Sequence, residues 1–456
     1  MHGKASQGSG ARTNIPPQGG TDVSSYRLAV CDLNGTLRGK RFPPSMLGKV
    51  LEHGARMPAS ILACDIWGED YAFNEHLRIS GDGDSICLPT GRAPLPVGWT
   101  AEPTIVVPAW MANEDGTPFA GDPRHGLAAV VKRLSDRGWH PAVAFELEFY
   151  LVRPGGTRPT PIASPVTGTP LDSDTILSID ELDDLEALFA DMHAACERQD
   201  IKVETTTSEN GPGQFEMNLE YSHDPLKAAD DAVFFKRLAR GIARRHNCVA
   251  TFMAKPYGRQ SGSSMHVHFS LCDQRGRNLF DDGSAAGSPL MHRAVAGILD
   301  GIQDSLLTYA PHMNSYRRPQ TGSLAPTHAS WGYENRTTAV RIPGGDGRAR
   351  RIEFRVPGAD ANPYLALAAM LGCALDGMER KLQPPPAAQG YAYDRDLPPI
   401  GYEWARAIDD FSNSGKMAGI FSPSLMDMYS TCKRYELERF RKEVSGFEHR
   451  TYLEVA

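Results

Sequence analysis

Four stretches of the chain alternate strictly between polar and apolar residues. In "AFELEFYL" (144–151), Glu146 and Glu148 share one face of a strand, while Phe145, Leu147 and Phe149 share the other. In "GPGQFEMNLEY", Gln214, Glu216, Asn218 and Glu220 alternate with Phe215, Met217 and Leu219. In "SSMHVHFSL", Ser264, His266, His268 and Ser270 alternate with Met265, Val267 and Phe269. In "RRIEFRVP", Arg351, Glu353 and Arg355 alternate with Ile352, Phe354 and Val356. The pattern predicts strands near 143–152, 214–221, 264–271, 338–343 and 350–356.

Helix starts are marked by a capping residue before proline at Asp122-Pro123, Asp224-Pro225, Ser288-Pro289 and Asn362-Pro363. Ser178 with Glu181 adds a capping-box pattern. Near the start, "YRLAVCDLNGTLRGKRFP" predicts a strand, a turn at Asn34-Gly35 and a second strand. The expected organisation is a disordered tail over 1–25, a small β-rich domain over 26–120, and a larger α+β domain over 121–456.

One strand with a wet polar face is ordinary in an antiparallel sheet. Four such strands, whose polar faces use Glu, His and Arg rather than Lys or Thr, ask for another reason. Adjacent carboxylates raise each other's cost of ionising and need cations nearby. Glutamates with one histidine form a hard, oxygen-rich set suited to Mg²⁺ or Mn²⁺. Glu209, in the loop "SENGPGQFE", offers one more carboxylate. Arg318, Arg336, Arg341, Arg351 and Arg355 then match phosphates and a substrate carboxylate. Together with the glycine-bearing loop "YGRQSGSSMH", this describes a phosphoryl-transfer site.

Composition narrows the classes further. With 41% hydrophobic and 23% charged residues the chain is globular, and its net charge of −7 argues against nucleic acid or an anionic membrane as partner. Eight scattered cysteines without a CxxC pair fit reduced thiols in a cytoplasmic protein. The first 25 residues lack an apolar signal-peptide core, and no stretch approaches the ~20 apolar residues of a membrane span.

The blocks "FELEFYL", "GPGQFEMNL", "KPYGRQSGSSMHVHFSL", "NSYRRPQTGSLAP", "ENRTTAVRIP", "RARRIEFRVPGADANPYLALAAML" and "DLNGTLRGKR" resemble the glutamine synthetases along nearly the whole chain from residue 26. The resemblance implies a β-grasp first domain and a catalytic domain with a curved antiparallel sheet flanked by helices. It further implies a homo-oligomer of two hexameric rings with active sites between subunits. Carried over, Glu148, Glu209 and Glu216 hold one metal; Glu146, His266 and Glu353 hold the second. Gly262, Ser261, Arg318 and Arg355 bind L-glutamate. Arg336, Arg341 and Arg351 steer ATP phosphates, with His268 and Ser270 near the nucleotide. Asp65 and Asp84 resemble aspartates that reach an amine pocket from the neighbouring subunit. In the implied chemistry, the glutamate γ-carboxylate takes the terminal phosphate of ATP, and an amine then displaces phosphate from the γ-glutamyl phosphate.

The sequence departs from ammonia-using members at one telling place. Leu324 stands where they carry a flap glutamate that helps deprotonate ammonium. An apolar residue weakens the hold on bare ammonium and makes room for a carbon substituent. A base is still required, and Glu209 and Asp65 are the candidates. Ser261 replaces a glutamate-binding asparagine, and Arg395 falls where some members carry an adenylylated tyrosine. With "PTHASWGYENR", these features resemble the glutamate–amine ligases, such as the γ-glutamylputrescine synthetases. The expected activity is therefore ATP-dependent γ-glutamylation of a primary amine. The alternatives are an ordinary glutamine synthetase and a catalytically silent relative. Trp67, Tyr71 and Trp331 are candidate walls for the amine, whose identity the sequence leaves open.

Overall fold

The computed structural model describes residues 23–70 and 81–456. The expected tail therefore lies, up to residue 22, outside the described residues, as does Tyr71.

The first sheet has six strands: β1 (Ser25–Cys31), β2 (Leu37–Phe42), β3 (Ala55–Pro58), β4 (Asp84–Pro89), β5 (Leu95–Pro96) and β6 (Thr104–Ala112). Its order is β2-β1-β6-β4-β3, with β5 beside β6, and β1 runs parallel to β6. Strand β1 begins at Ser25, one residue inside the stretch expected to be tail. The β1–β2 hairpin closes at the predicted turn. Gly35 has φ of +75°, a conformation costly for other L-residues, and its N–H donates to the Asp32 carbonyl at 3.0 Å.

The second sheet has eight strands: β7 (His140–Val152), β8 (Val203–Ser208), β9 (Gln214–Leu219), β10 (Val249–Thr251), β11 (Met265–Cys272), β12 (Trp331–Tyr333), β13 (Val340–Ile342) and β14 (Ile352–Phe354). The order is β12-β13-β14-β11-β7-β9-β8, with β10 beside β7. It is the expected antiparallel sheet, with one parallel pairing at its edge, β12 to β13.

The apolar faces of the alternating strands do what their pattern predicts. Phe145, Leu147, Phe149, Phe215 and Met217 are buried. Phe149 sits edge-on to Phe235 of the helix Pro225–Arg245, with ring centroids 6.1 Å apart. Burying each such ring stabilises the fold by about 1.5–3 kcal/mol, which fixes which face of the sheet is left for chemistry.

All four residue–proline signals cap helices. Asp122, Asp224, Ser288 and Asn362 accept backbone N–H bonds in the first turns of Pro123–Ser135, Pro225–Arg245, Pro289–Tyr309 and Pro363–Glu379. Ser178 also caps its helix, but Glu181 does not close the box; its carboxylate accepts from Thr175 and Ser208 hydroxyls instead. No described helix is long and apolar enough to cross a membrane. All eight cysteines are buried and free.

Candidate active site

Strand register assembles the polar stripe. Glu216 of β9 lies opposite Glu148 of β7, and Asn218 opposite Glu146. Glu146 in turn faces His266 of β11, His268 faces Glu353 of β14, and Glu353 faces Arg341 of β13. A one-residue slip anywhere would send these groups into the apolar layer, so the Phe and Leu face enforces the register of the polar one.

Glu146 is the hub. Its two oxygens lie 3.0 Å from His266 Nδ1 and 2.9 Å from His268 Nε2. Two overlapping groups, Glu146–Glu216–His266 and Glu146–His268–Glu353, each bring their candidate ligand atoms within 4.8 Å of one another. Glu353 is buried, ion-paired to Arg355, and 2.6 Å from Arg341 Nη1. His268 was expected on the nucleotide side alone, yet it joins Glu146 to Glu353. Arg351 Nε donates to His268 Nδ1 at 3.1 Å, which leaves the ring proton on Nε2, 2.9 Å from a Glu146 oxygen.

The charges divide the stripe in two. Burial raises the cost of ionising Glu146 and Glu353, but the donors and charged groups around them outweigh it. His268 and His266 hold Glu146 well below the usual carboxylate range, and Arg355 with the two imidazoles holds Glu353 at about 2. On the other side, burial and the neighbouring Glu146, Glu148, Glu209 and Glu353 push Glu216 well above its ordinary value. Glu209 is pushed up to about 8 by burial and by Glu148 and Glu146, against the pull of Arg336. This half carries surplus negative charge in a buried place, which fits hard divalent cations.

Glu148 is placed differently from the expectation. It points with the stripe, but its oxygens accept from Ser264 N (2.8 Å), the Ser264 hydroxyl and Gln214 Nε2 (3.3 Å). Glu148, Glu209 and Glu216 are thus electrostatic neighbours rather than a tight ligand triad.

The loop Ser261–Ser264 is fixed from beneath. Tyr150 Oη donates to the Ser261 carbonyl (2.7 Å), and Asn210 Nδ2 to the Ser261 hydroxyl (3.2 Å). Gln214 Nε2 also donates to the Gly262 carbonyl at 3.0 Å. A Cβ on Gly262 would lie 2.7 Å from both the Ala254 carbonyl and the Arg318 side chain, so only glycine fits. Arg318 is buried and donates to the carbonyls of Val356 (2.8 Å) and Arg355 (3.1 Å), which orients its guanidinium beside that loop.

A cleft of about 930 Å³ opens next to Glu146 and is lined by His268, Ser270 and Arg351, as expected for a nucleotide side. Arg341 and Arg336 are not in its lining; Arg336 is exposed and acts on Glu209 through its charge. The lining also includes Tyr221, Asn278 and Arg348, which the sequence reading missed. Asn278 Nδ2 donates to the Arg350 carbonyl at 2.8 Å, a loop-to-loop contact that no local pattern announces; the arginine density of "GRARR" was the available signal.

Asp65 is a correction. It is fully buried, and its Oδ1 accepts from the N–H groups of Trp67 and Glu69, both at 2.9 Å. Oδ1 holds its own loop together, and Oδ2 lies 3.9 Å from Arg439 Nη1, so the carboxylate is turned into its own chain. Asp84, at the start of β4, is exposed. Trp331 is likewise core: it is buried and its indole donates to the Pro385 carbonyl at 2.6 Å. Trp67 is 42% exposed, beneath the Arg439 guanidinium. Leu324 is 42% exposed with φ of +58°, so a branched apolar side chain is held out from a left-handed turn. Arg395 is exposed and donates to the Gln389 carbonyl.

Carboxylates, imidazoles and guanidinium groups meet beside this cleft, and two of the carboxylate–imidazole groups could hold a metal ion. Residues 120–452 match the glutamine synthetase catalytic domain. The chain is 37% identical to the gamma-glutamylputrescine synthetase PuuA of Escherichia coli (strain K12), over 92% of this chain and 90% of that one. It is 34% identical to the gamma-glutamylethanolamide synthetase GlnA4 of Streptomyces coelicolor, over 95% and 93%. A solved GmaS–ADP complex superposes with a TM-score of 0.83 at 26% identity, covering 94% of this chain and 97% of that one. The chain belongs to the glutamine synthetase family. It is an enzyme of that family's carbon–nitrogen ligase class, and two of the relatives just named are a γ-glutamylputrescine and a γ-glutamylethanolamide synthetase.

Proposed function

We propose that this chain joins the γ-carboxylate of L-glutamate to a primary amine, consuming ATP and giving a γ-glutamylamide, ADP and phosphate. The observation that carries the reading is the convergence of Glu146, His266, His268, Glu216 and Glu353 beside a cleft lined by Arg351. Glu216, with its neighbours Glu148 and Glu209 drawing in from their present partners, would hold one Mg²⁺ or Mn²⁺, and Glu146, His266 and Glu353 the other. When bound, the ions neutralise charge on the phosphates and on the transferred group.

The chain's own residues do the rest. Arg318, Arg355 and the Gly262 loop orient the glutamate carboxylates. Arg336, Arg341 and Arg351, with His268 and Ser270, hold ATP in line. A γ-carboxylate oxygen bonds to the terminal phosphorus as the bond to ADP breaks. The amine nitrogen then attacks the acyl carbon, loses a proton, and inorganic phosphate departs. With Asp65 committed to its loop, Glu209 is the remaining candidate base. Leu324 presents apolar surface where an ammonia-handling carboxylate would sit, which supports an organic amine over ammonia.

We further read the chain as two domains, 26–120 and 121–456, in a homo-oligomer of two hexameric rings, with exposed Asp84 available to a neighbouring site. A cytoplasmic location completes this reading. A catalytically silent relative is disfavoured because all six candidate ligand positions keep glutamate or histidine. A phosphate-release assay with glutamate, ATP and a panel of amines tests the activity. Release greatest with a primary organic amine supports it, and ammonia outperforming every organic amine refutes the amine assignment.

A further inference from the structure

A second cavity, of about 440 Å³, lies apart from the cleft, between the β1–β2 turn, the helix Pro225–Arg245 and the segment 249–253. Three cations one helical turn apart line it: Lys236, Arg240 and Arg244. None of the three forms an ion pair with a described residue. Lys236 is 5% exposed, and its ammonium has one acceptor, the Ala361 carbonyl at 2.7 Å. Lys236 and Arg240 both lie over the Phe252 ring, at 5.8 and 5.0 Å from its centroid. The single carboxylate in the lining is Asp360. Its Oδ2 accepts from Ser315 at 2.6 Å, while its buried Oδ1 has no partner among the described residues.

Like charges at successive turns repel, and a buried ammonium with one hydrogen bond is costly. Burial and Arg240 push Lys236 down to about 7, the same imbalance seen from the lysine's side. An oxyanion between the arginines would neutralise the surplus with charge-assisted bonds. Asp360 Oδ1 asks in addition for a donor, which a hydroxyl or hydrogen-phosphate group supplies. We propose that this cavity, lined by Lys236, Arg240, Arg244 and Asp360, is a second ligand site, for a small oxyanion that carries an O–H. The lining segment 249–253 runs on into Ala254, whose carbonyl accepts the Ser263 N–H of the candidate glutamate loop at 2.9 Å.

The test is thermal unfolding of the full chain, titrated at constant ionic strength with inorganic phosphate and, separately, with malate. At least one should give a saturable rise in melting temperature, and the better arm tells phosphate from carboxylate chemistry. The rise should persist in Arg351→Gln, which removes an anion-binding group from the large cleft. In the double variant Arg240→Gln/Arg244→Gln, whose positions are exposed, the apparent Kd should weaken on the order of 10-fold or more. Lys236→Met should act in the same direction. No saturable rise with either probe overturns the proposal, as does a rise lost in Arg351→Gln but kept in the double variant.

Discussion

Glu148 and Glu216 lie directly opposite each other across β7 and β9. Like charges in that relation destabilise a sheet. The pairing persists because Phe149 and Phe215, the next residues on the apolar face, are buried together with ring centroids 6.5 Å apart. Packing energy holds an electrostatically unfavourable arrangement in place, as expected of a site meant to receive cations.

Replacing Glu216 by Gln removes an ionisable group whose charge is disfavoured there, without changing shape. Chelator-treated protein should then melt higher than the parent, while the upward shift given by Mn²⁺ should shrink. Melting curves with and without metal decide it; a variant that melts lower in chelator but keeps the full Mn²⁺ shift would show that Glu216 is no ligand.

Glu209 gives a pH dependence of defined sign. Its folded value, about 8, lies above the ordinary 4.5, so the folded chain binds the proton more tightly than the unfolded one. Stability of chelator-treated protein should fall as pH rises between about 4.5 and 8. Denaturant unfolding at pH 5.5 and 8 measures the slope. Glu209→Gln should flatten it, and an unchanged slope would place the titration elsewhere.

Much of this site was legible beforehand, for a physical reason. Alternation in "FELEFYL" and "SSMHVHFSL" fixes which side chains share a face, and the sheet then needs only a register to bring Glu146 against His266. Caps such as Asn362 were readable because they are local, bonding N–H groups two and three residues on. What escaped was mostly non-local. Asp65 is the exception: its Oδ1 bonds the N–H groups two and four residues on, a local turn that the strand and helix patterns do not mark. Trp331 looked like a wall until Pro385, far along the chain, covered it. Asn278 stitches two loops that no spacing connects.

Gly262→Ala probes the substrate loop. Its Cβ would press on the Ala254 carbonyl, which the Ser263 N–H also uses, so the loop must shift. KM for glutamate should rise on the order of 10-fold or more, since positioning errors of about 1 Å are that costly. KM for ATP should stay close to the parent value. Equal loss in both would point to general unfolding instead.

Leu324→Glu restores a carboxylate at the flap. The ratio of kcat/KM for ammonia to that for the best organic amine should rise roughly 10-fold, because lost apolar contact penalises the carbon substituent while the new charge favours ammonium. A ratio that does not move would remove Leu324 from the specificity determinants.

The most direct measurement is the kcat/KM for phosphate release, with saturating glutamate and Mg²⁺–ATP, across putrescine, ethanolamine, isopropylamine, other primary amines and ammonia. A primary organic amine should exceed ammonia, with the matching γ-glutamylamide found by mass spectrometry. Ammonia leading the panel, or no amine-dependent release at all, would contradict glutamate–amine ligation.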